Sequence, residues 1–414
     1  MDQTLKPGTV DELVQAIEWA VAGVHPLELI GGGSKRAMGR PMQTETTLDL
    51  SGFSGINEYQ PEELVMTAGA ATPLAEIEAA LDENNQMLAF EPADYAALLG
   101  GAAGAPPGGV GTAATLGGAL ACNLSGPRRI KAGAARDHLL GFHAVSGRAE
   151  AFKAGGKVVK NVTGYDLCKL LAGSWGTLAA LHEVSIKVVP APELIRTVLV
   201  FGLDAEAAIA VLGEAMASPH DVSGAAHLPA ALASRSAIPY VAGAGAAVSA
   251  LRVEGVGASV KARSEALRAM FAGRAEVEEL HSMNSRPFWR EVRDVAPFAG
   301  DARALWRISL PPSAGARLLA ALSHSSLTEA YFDWAGGLLW LAVTAGEDAG
   351  AAAIRDAVTA IGGHATMLRA SSDIRAAVPV FQPPAPGLAA LSARLKESFD
   401  PTGVLNPGRM YSGV

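Results

Sequence analysis

Residues 29–40 read LIGGGSKRAMGR, a short apolar run followed by three consecutive glycines, a serine and two cations. Consecutive glycines let backbone N–H groups converge on an anion, and no Cβ blocks the close approach of a ligand. Lys35 and Arg36 add two positive charges to this loop. Two interpretations are open, a phosphate-binding loop or a tight turn between strands, although three adjacent glycines exceed what a turn needs.

Two common nucleotide-binding motifs do not fit the loop. A Walker loop requires Gly-Lys followed by Ser or Thr after four spacer residues, which this stretch lacks. A Rossmann fingerprint opens a helix, whereas Pro41 follows this loop. Residues 109–114 do fit the pattern G-x-G-x-x-A, but no β-branched strand precedes them. A nicotinamide-dependent Rossmann enzyme therefore survives as an alternative only if this second match is real.

The residues around the loop predict short strands that alternate with helices. A helix should begin after Thr9, because Thr9 is a good N-cap, Glu12 completes a capping box and apolar residues share one face. A second helix should follow Thr72, with Pro73 at its first position. These elements indicate an α+β or α/β fold. The predicted strands of this half are 27–30, 46–50, 64–68, 137–145, 157–159 and 178–189.

Composition narrows the class of protein. A chain of 414 residues, 50% of them hydrophobic and 18% charged, suits two or three globular domains. A net charge of −8 argues against a nucleic-acid partner. Cys122 and Cys168 form no disulfide framework, and the first residues resemble no signal peptide, so we expect a cytoplasmic protein. The uncharged stretch 95–127 is too rich in Gly and Ala, and too broken by prolines, to span a membrane.

Three further segments carry candidate site residues. In residues 112–126 small residues recur so often that a flat group could lie against the backbone, with Asn123 and Ser125 offering hydrogen bonds. The same pattern would suit a Gly/Ala-rich helix packed closely on a sheet. The other two segments are residues 161–178, NVTGYDLCKLLAGSWGTL, and residues 400–409, DPTGVLNPGR.

Taken together and in this order, the four segments resemble the FAD-binding family typified by vanillyl-alcohol oxidase. The resemblance implies an α+β fold with a two-part FAD-binding domain and an α/β cap domain that contains an antiparallel sheet. A Pro-Ala-Pro run at 190–192 precedes a change to alanine-rich helical stretches. We therefore expect an FAD-binding domain over 1–190, a cap domain over 191–385, and a segment over 386–414 that returns to the FAD-binding domain.

The resemblance also implies which residues hold FAD. The glycine loop should hold the pyrophosphate, the second segment the ribityl chain and flavin, the third the adenine half, and Asn406 the isoalloxazine. We expect noncovalent FAD, because the loop has no His and Cys122 does not sit where family members attach the flavin through Cys. The expected cofactor-binding residues are Gly31, Gly32, Gly33, Ser34, Lys35, Arg36, Thr115, Gly117, Gly118, Asn123, Ser125, Gly126, Gly173, Ser174, Gly176, Ala180, Leu181 and Asn406.

Three strings narrow the resemblance to one subgroup. Residues 161–190, 288–294 (FWREVRD) and 305–312 (LWRISLPP) resemble the FAD-binding subunits of bacterial glycolate oxidases, and Trp175 stands where the wider family often has Glu. This resemblance implies two partners, a catalytic FAD subunit and an iron–sulfur subunit. It also implies oxidation of glycolate or D-lactate, with electrons passing through iron–sulfur centres to a quinone. Any contact with the inner membrane would come through these partners.

Ligands for a metal and for a substrate are less evident. The histidines after residue 190 show no metal-ligand spacing, so we expect no metal site. Arg290 and Arg293, beside Trp289, could hold a small carboxylate through a guanidinium fork. A salt-bridge network is the preferred interpretation of the same arginines. No catalytic base is assigned, and two functions stay open: an enzyme with its own hydroxy-acid site, or an FAD-bearing accessory subunit.

Overall fold

The computed structural model describes residues 3–100, 113–157, 164–322, 328–344 and 346–413. Its strands, in chain order, are β1 Gln3–Leu5, β2 Leu27–Ile30, β3 Thr46–Asp49, β4 Ile56–Gln60, β5 Val65–Gly69, β6 Gln86–Met87, β7 Leu139–Ser146, β8 Ala151–Gly155, β9 Ala179–Lys187, β10 Val189–Pro190, β11 Leu194–Phe201, β12 Gly224–Leu228, β13 Val248–Gly255, β14 Val277–Leu280, β15 Ala304–Ser309, β16 Thr328–Asp333, β17 Leu338–Val343 and β18 His364–Arg369. Its α-helices are α1 Val10–Gly23, α2 Leu74–Asp82, α3 Ala96–Leu99, α4 Leu116–Ala121, α5 Arg129–Ala132, α6 Ala135–His138, α7 Leu167–Leu171, α8 Ala205–Ala217, α9 Ala230–Ala233, α10 Pro239–Ala242, α11 Gly257–Phe271, α12 Ser282–Arg293, α13 Gly315–Leu322, α14 Ala351–Ile361, α15 Ser372–Ala377 and α16 Pro386–Phe399.

Two sheets in the first half of the chain share a core. Strands β1, β3 and β2 form a parallel sheet, whereas β4, β5, β9, β7 and β8 form an antiparallel one in that order. Helix α1 begins after Thr9, whose hydroxyl accepts a hydrogen bond from the Glu12 N–H at 3.2 Å. Its buried residues Leu13 and Ile17 pack with residues of both sheets. The helix therefore joins the two sheets.

Alternation along β9 separates the two faces of the antiparallel sheet. Ala179 and Leu181 belong to the core under α2, α4 and α7, whereas Ala180 belongs to the core under α1. Successive side chains of a strand point to opposite faces, so neighbours in sequence serve different cores. This alternation decides which β9 side chains can face α4.

The second half builds an antiparallel eight-stranded sheet in the order β14-β11-β13-β12-β16-β17-β15-β18. Helices α8 and α11 cover one face at the β11–β13 end, and α13 and α14 cover it at the β15–β18 end. The opposite face is rich in aromatic side chains such as Tyr331 and Trp340. It packs against α12 and against Tyr95 and Leu98 of the first half. The two halves therefore meet across this face.

The end of the chain returns to the first half. Leu405 forms a bridge with Leu27 of β2. The buried Lys396 ammonium of α16 donates to Asp400 at 2.6 Å, to the Thr177 carbonyl at 2.7 Å and to the Leu405 carbonyl at 2.8 Å. Because a buried charge is tolerated only when it is paired and hydrogen-bonded, this cluster fixes the C-terminal turns beside β9.

The α+β class and the antiparallel sheet of the second half agree with the sequence prediction. The strand predicted from residue 137 begins only at Leu139, because α6 occupies the preceding residues. Helix α2 begins one residue after Pro73, and the Thr72 hydroxyl donates to the Gly69 carbonyl at 2.7 Å instead of capping the helix. Of the strand predicted over 157–159, the last two residues lie outside the described residues. No described helix has both the length and the apolar character needed to cross a bilayer.

Candidate functional site

A cleft with about 860 Å³ of space, part of it open to solvent, lies where the glycine loop, the start of α4, the turn before β9 and the C-terminal turns meet. The lining residues are Glu28, Leu29, Ile30, Gly31, Gly32, Gly33, Ser34, Lys35, Arg36, Leu50, Ala70, Ala71, Thr115, Gly117, Gly118, Ala121, Cys122, Ser174, Trp175, Gly176, Ala179, Leu181, Asn406 and Arg409. We call this the glycine cleft.

Close approach of three backbone segments explains the glycines of the cleft. A Cβ on Gly32 would lie 2.0 Å from the Ala113 carbonyl oxygen, and a Cβ on Gly31 would lie 2.8 Å from the Thr115 hydroxyl. A Cβ on Gly117 would lie 2.7 Å from Ala70. Side chains at these positions would push the segments apart. The glycines therefore serve the assembly of the cleft as well as access to it.

The glycine loop presents backbone donors that the protein does not use. Within the described residues, the N–H groups from Gly32 to Lys35 have no hydrogen-bond acceptor, whereas the Arg36 N–H donates to the Gly33 carbonyl at 3.2 Å. Gly33 adopts a φ of +71°, which favours glycine. Successive N–H groups without partners suit an anion such as a diphosphate. The loop thus has the donor set that an FAD pyrophosphate requires.

The two cations of the loop differ in their pairing. Arg36 forms a two-pronged ion pair with Glu28, with its Nε 3.1 Å from Oε1. Lys35 has only the Ser34 hydroxyl as a partner, at 3.3 Å, and forms no ion pair within the described residues. Burial lowers the pKa of Lys35, and the nearby Cys122 and Asp94 oppose that shift only in part. Lys35 is therefore the cation of this loop that is available to a bound anion.

The C-terminal segment holds the glycine loop in place. The Asn406 side chain accepts from the Leu29 N–H at 2.8 Å and donates to the Trp175 carbonyl at 2.7 Å. The Arg409 guanidinium donates to the Lys35 carbonyl at 2.8 Å. A Cβ on Gly176 would lie 2.7 Å from the Asn406 amide nitrogen, so the glycine makes room for it. Asn406 lines the cleft, but its side chain already joins two loops.

Most predicted cofactor-binding residues line the cleft, and five do not. The Asn123 and Ser125 side chains accept from the N–H groups of Arg136, at 3.1 Å, and Ala135, at 2.9 Å. The Gly126 carbonyl accepts from the Trp334 indole at 3.1 Å. Ala180 faces the core under α1, and the Gly173 N–H donates to the Leu120 carbonyl at 3.2 Å. The five residues outside the lining are Asn123, Ser125, Gly126, Gly173 and Ala180.

Several lining residues were missed from the sequence. Cys122, which was not among the predicted cofactor-binding residues, lines the cleft and is only half-buried. Trp175, next to two predicted residues, lines it as well, with a φ of +58°. Ala179 could have been chosen over Ala180 by strand alternation, given Leu181. Arg409 and Glu28 carried no local signal, because their roles depend on contacts between distant segments.

Arg290 and Arg293 line a second cleft, which encloses about 790 Å³ between α2 and α12. We call it the arginine cleft. Arg293 pairs with Asp294 at 2.8 Å and with Glu78 at 3.5 Å. At its base Arg252 donates to both Glu91 oxygens, at 2.8 and 3.0 Å. This arrangement favours the salt-bridge interpretation of Arg293. Arg290 is exposed and has no ion pair within the described residues.

Other candidate groups lie away from the glycine cleft. Tyr165 is 92% exposed and does not line the glycine cleft. His227 is buried, and its ring nitrogen contacts the Ser249 hydroxyl at 2.9 Å, which marks it as a core residue. Burial lowers its pKa to about 4. Among the described residues, no group of three or more His, Cys, Asp and Glu is arranged to hold a metal ion.

The cleft and the fold define the class of protein. Residues 1–112 match the family model described as an FAD binding domain. The fold is similar to that of p-cresol methylhydroxylase with substrate bound, with a TM-score of 0.72, 13% identity and coverage of 98% of this chain and 88% of that chain. An alkyldihydroxyacetonephosphate synthase has the same fold, with a TM-score of 0.67, 14% identity and coverage of 98% and 75%. The chain is a flavoprotein of this architecture and carries its FAD-binding domain.

The particular family follows from the full-length comparison. The chain is 36% identical over 401 residues to glycolate oxidase subunit GlcE of Escherichia coli (strain K12), and the match covers 97% of each chain. It belongs to the family of that subunit, within the FAD-binding family of vanillyl-alcohol oxidase and p-cresol methylhydroxylase. A shorter match, 36% over 104 residues, covers 25% of this chain and 22% of glycolate oxidase subunit GlcD of Bacillus subtilis (strain 168).

Proposed function

We propose that this chain is an FAD-binding subunit of a multi-subunit 2-hydroxy-acid dehydrogenase that acts on glycolate or D-lactate. Its flavin passes electrons from the substrate to an iron–sulfur partner subunit, beside a catalytic FAD subunit. Full-length similarity to a glycolate oxidase subunit supports this proposal. Partial similarity to a D-lactate dehydrogenase of Archaeoglobus fulgidus, 29% over 187 residues and covering 45% of this chain and 38% of that protein, supports the substrate class. Location in the cytoplasm, with membrane contact only through partners, is part of the proposal.

The observation that carries the proposal is the donor set of the glycine cleft. Unused N–H groups from Gly32 to Lys35 and the unpaired Lys35 ammonium would hold the FAD pyrophosphate. Thr115, Gly117 and Gly118 would lie along the flavin half, where small residues leave room for a flat ring. When bound, the flavin accepts a hydride from the carbon that carries the substrate hydroxyl. The chain itself supplies position, electrostatics and shelter from water.

Noncovalent attachment of FAD is part of the proposal. The glycine loop offers Ser34 where a histidine would be needed for covalent attachment in the wider family. Burial raises the pKa of the Cys122 thiol, and Lys35 opposes that shift. A neutral thiol is a poor nucleophile, so Cys122 is expected to line the site without bonding to the flavin.

The domain division proposed for the chain is 1–190, 191–385 and 386–414. The parallel and five-stranded sheets lie within the first range, and the eight-stranded sheet lies within the second. The bonds of Lys396 and Asn406 to the first half support a returning C-terminal segment. Helix α16 begins at Pro386, at the proposed boundary.

An accessory FAD-bearing subunit without turnover of its own is the second candidate. It is favoured because Arg293, for which carboxylate binding was the less preferred interpretation, is engaged by Asp294 and Glu78. The two candidates differ in whether this chain turns over substrate, and both include bound FAD. The Rossmann alternative has most of its motif, residues 109–112, outside the described residues.

The first experiment is to purify the chain, record its visible spectrum and precipitate one aliquot with acid. A flavin spectrum with a yellow supernatant is expected for noncovalent FAD. Anaerobic glycolate added to a second aliquot bleaches the flavin if the chain is an enzyme in its own right. Flavin that stays oxidised with glycolate alone, but is reduced once partner subunits are added, supports the accessory role. A colourless protein that refuses added FAD would end the proposal.

A second experiment locates the flavin without any turnover. The chain has two cysteines, and only Cys122 lines the glycine cleft, whereas Cys168 is buried in the core. Alkylation of the apo chain followed by peptide mass analysis should label Cys122 at a rate that FAD suppresses. Cys168 serves as the internal control, because its slow labelling reports unfolding only. Equal Cys122 labelling with and without bound FAD would place the cofactor elsewhere.

A further inference from the structure

A row of side chains crosses the face of the eight-stranded sheet that meets the first half. Tyr331, Trp340, Arg307 and Thr366 lie directly opposite one another on β16, β17, β15 and β18. Directly opposite residues of neighbouring strands share a face. Tyr95 of the first half contacts Trp340 edge-on, with ring centres 6.2 Å apart. A charged residue, Arg307, is therefore placed inside an otherwise aromatic interface.

A second arginine reaches the same place from the first half. The guanidinium carbon of Arg129, in α5, lies 4.4 Å from the ring centre of Trp334, and that of Arg307 lies 5.0 Å from it. Trp334 is buried, and its indole N–H donates to the Gly126 carbonyl at 3.1 Å. Two cations thus converge on one indole ring at the meeting of the two halves.

Neither arginine has an anionic partner. Within the described residues, Arg129 and Arg307 make no hydrogen bond and no ion pair; Arg307 is largely buried and Arg129 is half-buried. The fully buried arginines of the chain are all engaged, by carboxylates or by backbone carbonyls. These engaged residues are Arg128, Arg252, Arg369, Arg375 and Arg409. A pair of cations without an anion is costly to keep in such a place.

The groups around the pair suit a small, polar anion. Tyr95 is buried, and its hydroxyl makes no hydrogen bond within the described residues. Thr366 stands next to Arg307 on the neighbouring strand. His364, two residues earlier, has its pKa lowered by burial and by both arginines, so at neutral pH it adds no third charge. The Asp333 carboxyl group interacts electrostatically with Arg307, but it accepts from the Trp334 N–H at 2.7 Å and forms no ion pair with Arg307.

We infer that Arg129 and Arg307, gathered on Trp334, bind the carboxylate of a small 2-hydroxy acid, an inference that rests on the proposed function. A guanidinium fork holds a carboxylate through two parallel hydrogen bonds. The free Tyr95 hydroxyl and the Thr366 hydroxyl offer partners for the substrate hydroxyl. Cys122 and Trp175, which line the glycine cleft, pack against the same aromatic cluster, so the two sites adjoin. The carboxylate ligands are thus Arg129 and Arg307 rather than Arg290 and Arg293.

The test is calorimetric titration of the FAD-loaded full chain with glycolate, without turnover. Arg129→Met and Arg307→Met should each weaken glycolate binding by about tenfold to a hundredfold, the range of a lost charged hydrogen bond. Arg307→Lys should recover part of the loss. Arg290→Met is the matched control, an exposed arginine of the arginine cleft, and should bind glycolate like the wild type. FAD content and melting temperature are recorded for every variant; FAD content should be unchanged, and the melting temperature should be unchanged or higher, because a buried unpaired cation is removed.

Three results would overturn the inference. They are no glycolate binding to the FAD-loaded wild type, unchanged affinity in both methionine variants, or equal binding of glycolamide, which has no charge. Inorganic phosphate provides a further arm, and phosphate binding as tight as glycolate binding would show a general anion site instead. Failure of the proposed function looks different, because the chain would then take up no FAD and Cys122 would gain no protection from alkylation.

Discussion

The glycine cleft and the arginine cleft are similar in size but opposite in how they treat charge. In the glycine cleft, four successive N–H groups and the Lys35 ammonium have no protein partner that neutralises them. In the arginine cleft, Arg252 and Arg128 are bonded to Glu91 and Glu254 at 2.7–3.0 Å. Both clefts contain cations, so the presence of positive charge does not identify a binding site. Hydrogen-bond donors and cations without a protein partner are the better indicator.

The same criterion separates the arginines of the chain. Arg293 stands in a cleft beside an aromatic residue, yet its guanidinium is occupied by Asp294 and Glu78. Arg307 stands inside an aromatic interface, over the Trp334 ring, and makes no hydrogen bond and no ion pair within the described residues. We expect ion pairing to be the property that divides structural cations from binding cations.

The largest effect is expected from breaking the paired network. Arg252→Met should lower the free energy of unfolding by about 3–5 kcal/mol, because Glu91 would remain buried with half of its compensation lost. Urea denaturation followed by tryptophan fluorescence measures it. Arg290→Met, at the exposed rim of the same cleft, should change the free energy by less than about 0.5 kcal/mol. If Arg252→Met, like Arg290→Met, changed the free energy of unfolding by less than about 0.5 kcal/mol, the ion-pair network would not stabilise the fold.

Asp333 is a buried carboxyl group without an ion pair, so its replacement should raise the free energy of unfolding at neutral pH rather than lower it. Burial raises the pKa of Asp333 to about 7, so folding takes up a proton there and its contribution to stability falls as pH rises from about 4 to about 7. Asp333→Asn removes this loss. Between pH 5 and pH 8 the stability of the variant should gain about 2–3 kcal/mol on the wild type, at about 1.4 kcal/mol per pKa unit.

The measurement is a pair of urea denaturation curves at each pH. His227, whose pKa lies about 4, stays neutral across this range and is common to both proteins. A constant difference between wild type and variant from pH 5 to pH 8 would contradict the assignment to Asp333.

A smaller effect, on binding rather than stability, is expected in the glycine cleft. Lys35→Met should weaken FAD binding about tenfold to a hundredfold, because a charged partner of the pyrophosphate is lost. The apo chain should be as stable as the wild type or more so, since a buried unpaired ammonium is removed. Fluorescence titration of the apo chain with FAD and thermal unfolding give the two readouts.

Arg36→Met is the matched control for that variant. Arg36 is exposed and neutralised by Glu28, so its loss should affect FAD affinity less than the loss of Lys35. Equal losses of affinity would mean that pairing in the apo chain does not decide which cation serves the ligand.

The smallest effect comes from a single hydrogen bond far from both clefts. Thr9→Ala should cost about 1 kcal/mol, because the Glu12 N–H loses its cap at the start of α1. Thermal unfolding measures it, with FAD content as the control. A loss as large as that of Arg252→Met would mean that α1 contributes more than its cap.

The sequence predicted the glycine loop and the Thr115 region of the glycine cleft well, and the other lining residues poorly. The glycine loop and the Thr115 region carry their signal locally, in consecutive small residues that no side chain could replace. Arg409 and Glu28 carry no local signal. Arg409 donates to the Lys35 carbonyl, hundreds of residues away in sequence, and Glu28 pairs with Arg36, which no sequence motif indicates. Asn123 and Ser125 look like ligand donors in one dimension, yet they satisfy the backbone of α6.

The aromatic interface was beyond sequence reasoning for a similar reason. Arg129 and Arg307 meet only because β15 and α5 face each other across two halves of the chain. Sequence spacing predicts which residues share a face of one helix or strand. It does not predict which residues meet when α5 packs against the eight-stranded sheet. Helix α16, by contrast, was not predicted from the sequence, where residues 386–414 were described only as a returning segment.

The returning C-terminal segment has a consequence for how the protein is made. Arg409 and Asn406 supply bonds that hold the glycine loop, and Lys396 ties the last turns to Thr177. These residues leave the ribosome after both sheets have been synthesised. The nascent chain therefore lacks a finished flavin site until residue 409 has emerged, so FAD loading should follow the synthesis of both sheets. Ribosome-bound chains stalled before residue 396 should accordingly fail to retain FAD.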